Sequence, residues 1–250
     1  MQEIVIVTGA SRGLGAAMAE RVLAPDRKLI GIARSPNEAL AALAREKHAS
    51  LDWYLQDLSD VAATDELAAS ICAALPRDAK RYVLINNAGV ADPVGPVAKL
   101  DAARVAAALH VNLAAAIIFT ARFLAATAAT NADRRVLNIS SGSGRRPMDG
   151  NSVYSATKAG LDMFTRCLKL EQALENNGAR VVSLAPGVIE TDMQVHMRSR
   201  DPVDFPQAAY FRGMKDDARL ATPEDAARRI LAYLERDDFG EREIDDIRNG

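Results

Sequence analysis

Residues 3–15 read EIVIVTGASRGLG: a β-branched apolar run, then a turn built on Gly9, Gly13 and Gly15, at the head of an alanine-rich stretch. Glycines allow a tight turn and close backbone approach. A helix starting there would bring free N–H groups and the positive end of its dipole to bear on a pyrophosphate. The spacing is G-x-x-x-G-x-G rather than G-x-G-x-x-G, and a glycine-rich turn without a ligand has the same composition. Its place between a strand and a helix argues for a dinucleotide, with Gly9, Ser11, Arg12, Gly13, Leu14 and Gly15 as the expected contacts.

Outward from this loop the pattern repeats. Short apolar runs at 3–7, 28–32, 51–55, 82–86, 135–139, 179–184 and 243–247 alternate with amphipathic stretches at 13–24, 36–47, 60–75, 100–128, 152–176 and 223–236. Strands separated by helices mean βαβ units, right-handed crossovers and a parallel sheet covered on both faces. The expectation is an α/β chain, a single doubly wound Rossmann-type domain over 1–250 with seven parallel strands. Residues 190–221 break the rhythm, carrying Met193, Met197, Phe205, Tyr210, Phe211 and Met214 among many charges. A connection this long is a lid or a disordered loop, and the scattered apolar side chains favour a lid over the substrate.

The bulk numbers exclude several classes. A net charge of −2 gives no electrostatic argument for nucleic acid or an anionic membrane as partner. Cys72 and Cys167 lack metal-ligand spacing, so neither a disulfide framework nor a metal is expected. No basic segment with an apolar core opens the chain, and no run of about 18 apolar residues is present, so the expected location is the cytoplasm.

The second strand ends in GIARS, residues 31–35. An NAD site usually places a carboxylate there for the ribose 2′-hydroxyl. Here Ala33 and Arg34 stand instead, and Arg12 adds a second cation near the same point. A guanidinium pairs with a 2′-phosphate, so the expected cofactor is NADP(H).

Further along, NSVYSATKAG (151–160) sets Tyr154 four residues before Lys158, on one face of a helix. An ammonium there should draw the tyrosine pKa down toward the range for proton transfer. Taken with TGASRGLG (8–15), Asp57 in LQDLSD, NNAG (86–89), Asn112 in HVNL, NISS (138–141) and PGVIET (186–191), the chain resembles the short-chain dehydrogenase/reductase family along its whole length. NISSGSG, APGVIETDMQ and the terminal DIR are similar to its sepiapterin reductase-like branch. The resemblance implies Tyr154 as general acid/base, Lys158 as holder of the nicotinamide ribose, Ser141 as donor to the substrate oxygen and Asn112 as support for a proton relay. Ser140 is the neighbouring alternative to Ser141. It also implies Asp57 and Leu58 beside the adenine, Asn86, Ala88 and Gly89 along the cofactor, and Pro186, Gly187, Ile189 and Thr191 beside the carboxamide.

The implied activity is reduction of a small-molecule carbonyl, a ketone or diketone, by an enzyme that self-associates as a homodimer or homotetramer through the helices at 100–128 and 152–176. An NAD-linked alcohol dehydrogenase is disfavoured by Arg34, and a non-catalytic nucleotide sensor by the retained Tyr154 and Lys158. A nucleotide hydrolase is disfavoured because the glycine loop lacks a G-K-[ST] ending. His48, His110 and His196 are scattered and read as structural or surface residues, His196 being a weak substrate-side candidate; Arg145 and Arg146 read as solvated rather than substrate-facing.

Overall fold

A computed structural model describes residues 3–217 and 219–249; Met1, Gln2, Gly250 and Ala218 (within the expected lid) lie outside the described residues. All seven expected strands form: β1 (Glu3–Thr8), β2 (Arg27–Ala33), β3 (Ser50–Leu55), β4 (Arg81–Asn86), β5 (Asp133–Ile139), β6 (Arg180–Ala185) and β7 (Ile244–Asp246). They make one parallel sheet in the order β3-β2-β1-β4-β5-β6-β7. Chain order reverses at β1, which pairs with β2 on one side and β4 on the other, so the crevice beyond the C-terminal ends of β1 and β4 is the topological switch point.

Period-two alternation explains why the strands read as unbroken apolar runs. Val5 and Val7 enter a core with Leu14, Met18 and Val22 of α1 (Gly13–Val22). Ile4 and Ile6 point the other way, into a core with Ala68, Ile71, Phe119 and Phe123. A strand buried on both faces has no room for polar alternation. Each such Val or Ile contributes roughly 1.5–3 kcal/mol by leaving water. The remaining early helices are α2 (Glu38–Glu46) and α3 (Val61–Ala73).

The helix expected over 100–128 is not a single α-helix. It consists of α4 (Ala102–Leu109), a π turn at His110–Ala114, and α5 (Ala115–Thr127). The extra residue in the π turn lets Asn112 face inward, where its amide reaches the backbone of Val90. Together they run 26 residues and contain an 18-residue window of mean hydropathy 1.7, enough by length and composition to cross a membrane. In the fold Phe119, Thr120 and Phe123 are fully buried, while Leu109 and Ile117 remain exposed.

After β5 come α6 (Ser152–Gln172), β6, and then the long connection, which is helical: α7 (Asp192–Arg198) and α8 (Ala208–Asp216). Met197, Phe205, Phe211 and Met214 form a third apolar cluster with Ala91. The chain rejoins the main fold through α9 (Pro223–Leu234), capped by Thr222, whose hydroxyl accepts from the Asp225 N–H at 3.1 Å.

Candidate active site

The glycine loop is held by packing that tolerates no side chain. A Cβ on Gly15 would lie 2.1 Å from the Gly9 carbonyl oxygen, and one on Gly9, whose φ is +70°, would lie 2.9 Å from Ala88 Cα. Thr8 Oγ1 accepts from the backbone N–H groups of Asn87 (3.0 Å) and Ala88 (3.1 Å), while Asn87 Nδ2 donates to the Thr8 carbonyl at 3.0 Å. Asn37, which caps α2, donates to the Ser11 carbonyl at 3.4 Å. Thr8, Asn37 and Asn87 are supports that motif matching passed over, although their hydrogen-bonding side chains beside a glycine turn were visible in the sequence. Gly13 has φ +55° and approaches Thr191, so the 186–191 segment borders the same loop. Leu14, in the first turn of α1, is buried.

The N-terminus of α1 has no acidic residue in its first turn and no side-chain cap. Its N–H groups are thus oriented for an anion, and Gly9 and Gly15 let the turn pack tightly enough against Ala88 and Asn87 to present them. An alanine at Gly15 should distort this loop, lowering stability by about 1–3 kcal/mol and nucleotide affinity with it. Thermal unfolding and NADPH fluorescence titration check this, and wild-type affinity in a fully folded variant would contradict it.

Beyond the loop, Arg34 is exposed just past the end of β2. Arg12 pairs with Asp192 at 2.9 Å, but the two side chains are 68% and 72% exposed, so the bridge is weak. The Asp57 carboxyl accepts the Ser59 N–H (2.9 Å) and hydroxyl (2.8 Å), which hold its pKa below the usual range with help from Arg34. Leu58 is buried with Ile30 and Ile32, so any nucleotide contact falls to its backbone. Asn86 is likewise turned inward, donating to Asn138 Oδ1 (2.8 Å) and Thr120 Oγ1 (3.1 Å). Ala88 and Gly89 are part-exposed. Gly187 has φ +79°, and Pro186 precedes it at the end of β6. Ile189 is buried and bridges to Ala221.

On the other side of the crevice Ser141 lies two residues past β5, capping the 3-10 turn at Gly142–Gly144, and Tyr154 and Lys158 stand on α6. Gly144 lets the Ser141 loop lie on that helix: a Cβ there would be 2.8 Å from the Lys158 carbonyl carbon. Lys158 is 3% exposed and its Nζ donates to the Ile139 carbonyl at 2.8 Å. Burial pushes its pKa down to about 8, against the pull of Asp162, which favours the ammonium. Tyr154 corrects the expectation of a lowered pKa. Burial raises it, and only the Ser141 hydroxyl opposes the rise. The Lys158 ammonium, bound to Ile139, lies 5.6 Å from the Tyr154 ring centroid, over the ring. Asn112 is 1% exposed; Oδ1 accepts the Val90 N–H at 2.8 Å, and Nδ2 donates to the Val90 carbonyl (2.9 Å) and Thr157 Oγ1 (3.2 Å).

Contacts place the other residues singled out in the sequence. Ser140 faces away from Ser141's side, donating to Asp162 Oδ1 at 2.6 Å. Arg145 is an exposed residue as expected, but its guanidinium is anchored: Nε donates to Asp162 Oδ2 at 2.9 Å. His196 pairs with Asp92 at 2.8 Å, tying α7 to the loop after β4, while His110 Nδ1 lies 3.0 Å from the Ser59 carbonyl. Cys72 and Cys167 are free, and no cluster of three or more His, Cys, Asp or Glu among the described residues is placed to hold a metal.

A doubly wound parallel sheet, an anion-ready glycine loop and two hydroxyls with a buried lysine at the switch-point edge define a Rossmann-type oxidoreductase. The chain belongs to the short-chain dehydrogenase/reductase family, whose model, described as short chain dehydrogenase, matches residues 3–202. It is 35% identical over 241 residues to a benzil reductase ((S)-benzoin forming) of Bacillus cereus, covering 96% of this chain and 97% of that protein. It is 30% identical to the sepiapterin reductase of Bos taurus, covering 94% and 91%. The solved structure of the KRED1-Pglu enzyme superposes with a TM-score of 0.80 at 28% identity, covering 96% and 99%.

Proposed function

We propose that the protein is an NADP(H)-dependent carbonyl reductase acting on a small ketone or diketone, with Ser141 and Tyr154 holding the reacting oxygen. The observation that carries this reading is the convergence of the Ser141 and Tyr154 hydroxyls on one edge of the sheet, backed by the buried Lys158. The likeness to a benzil reductase and a sepiapterin reductase supports a carbonyl flanked by a second carbonyl or an aromatic ring.

A bound nicotinamide cofactor supplies the hydride. Its phosphates would lie on Gly9 and Ser11 to Gly15, its adenine by Asp57 and Leu58, and its carboxamide by Pro186, Gly187, Ile189 and Thr191. The backbone of Asn86, Ala88 and Gly89 would run beside it. The chain's own residues orient the carbonyl and move the proton: Ser141 and Tyr154 donate to its oxygen, Tyr154 gives up its proton, and Lys158 stabilises the resulting tyrosinate. Asn112 fixes the wall beside Lys158. Residues 190–221 act as the lid, their apolar cluster of Met197, Phe205 and Phe211 closing over the substrate side. Met163 and Leu170 on α6, and Leu174 just past its end, are 54%, 72% and 87% exposed, which supports burial of this helix against a second copy in a homodimer or homotetramer.

The test is loss of the NADPH absorbance band with benzil, aromatic ketones and pterins, repeated with NADH. Turnover of a diketone with NADPH is expected. Failure with every carbonyl, alongside oxidation of alcohols with NAD, would overturn the reading. The pH profile follows from Lys158. Below about 8 it is charged and supports the tyrosinate; above that it is neutral and does not. Thus kcat/KM for reduction should fall as pH rises through about 8, and a flat profile to pH 10 would contradict the assignment.

A further inference from the structure

Asp162 lies four residues after Lys158 and eight after Tyr154 on α6, on the same helical face. It is 2% exposed. A buried carboxylate is costly unless fully bonded, and this one is. Its Oδ1 accepts from Ser140 Oγ, just past β5, and from Ser183 Oγ of β6, both at 2.6 Å. Its Oδ2 accepts from Arg145 Nε at 2.9 Å. Arg145 in turn donates to the carbonyls of Asp245 (2.9 Å) and Ser183 (3.3 Å). Ser140 and Arg145 flank the Ser141 turn on either side, so both ends of that turn are anchored to one side chain of the helix that carries Tyr154 and Lys158.

We propose that Asp162 is a positioning residue, a single buried carboxylate that sets Ser141 against Tyr154 and Lys158 while keeping a negative charge one helical turn from the lysine. It acts through Ser140, Arg145 and Lys158 and touches no reacting atom. Among the described residues, the charged groups facing it are Lys158 on its own helix and Arg145 from the loop after β5; that loop and β6 present the hydroxyls of Ser140 and Ser183. Asp246 lies beyond Arg145, close enough to feel its charge. The carboxylate therefore has two cations to serve, and its effect on Lys158 depends on how far Arg145 neutralises it.

This rests on the reaction centre proposed above, but its test has a readout independent of turnover. In cofactor-free enzyme labelled with ε-13C lysine, the Lys158 titration is followed by NMR, with kcat and the NADPH KM measured in parallel. Asp162→Asn should move the Lys158 midpoint down by about one pH unit. It should also lower kcat about tenfold or more, with the NADPH KM unchanged within about twofold. Arg145→Met, which leaves the carboxylate less neutralised, should move the midpoint up. Opposite shifts support the proposal; wild-type titration in both variants, or a lowered melting temperature with unmoved kcat and titration, overturns it. Should Asp162→Asn fail to fold, Arg145→Met decides alone: an upward shift supports, no shift overturns. An enzyme without reductase activity would sink the functional reading and leave the titration test standing.

Discussion

Tyr154→Phe is expected to lower kcat for carbonyl reduction by about 10³- to 10⁴-fold. The substitution removes one oxygen and keeps the ring, which is half-buried on α6. Its hydroxyl does two jobs in the proposed mechanism: it donates a hydrogen bond to the substrate oxygen and then gives up the proton. Ser141 can keep the first of these and has no means of supplying the second at neutral pH. Burial makes the point sharper. The phenol of Tyr154 is held above its ordinary pKa with only Ser141 opposing, so it stays protonated and ready to act as an acid. Because Lys158 stays bonded to the Ile139 carbonyl, the fold around it is not disturbed. NADPH affinity by fluorescence titration should stay within about twofold and the melting temperature within a few degrees. A variant retaining more than a tenth of wild-type kcat on any accepted ketone would remove Tyr154 from the acid/base role.

Much of this architecture was legible because period and punctuation agree. The run IVIV sends alternate side chains to two cores, which is why the strand reads as unbroken, and Gly9, Gly13 and Gly15 mark where backbone must approach backbone. What the sequence hid is what depends on contacts between distant residues. The i,i+4 spacing put Tyr154 and Lys158 on one face but could not reveal that the ammonium turns to Ile139. Arg145 looks like a solvated cation until Asp162, 17 residues on, is folded against it. The π turn at His110–Ala114 has no composition of its own and follows from Asn112 reaching Val90, 22 residues earlier. The connection at 190–221 hid two short helices because α7 and α8 organise around a small local cluster rather than a long amphipathic stripe.

Cofactor choice is the other place where one side chain should carry a large effect. Arg34→Asp is expected to shift the NADPH/NADH ratio of kcat/KM by about 10³-fold toward NADH. An arginine–phosphate bond contributes roughly 1.5–3 kcal/mol, and each 1.4 kcal/mol is tenfold. Losing it accounts for about one to two decades, and placing a carboxylate against a 2′-phosphate adds like-charge repulsion that NADH does not meet. The same carboxylate can accept from a ribose 2′-hydroxyl, so NADH gains while NADPH loses. The surroundings make the result clean. Arg34 is exposed beyond β2 and, among the described residues, has no ion-pair partner to abandon, so the exchange should alter stability by no more than about 0.5 kcal/mol. Arg12 is a weaker contributor because it first has to leave Asp192. Arg12→Ala should therefore cost NADPH less than Arg34→Ala does. Steady-state kinetics with both cofactors on one diketone decides the matter: an unchanged ratio in Arg34→Asp would place the 2′-phosphate elsewhere and remove the basis for assigning NADP(H).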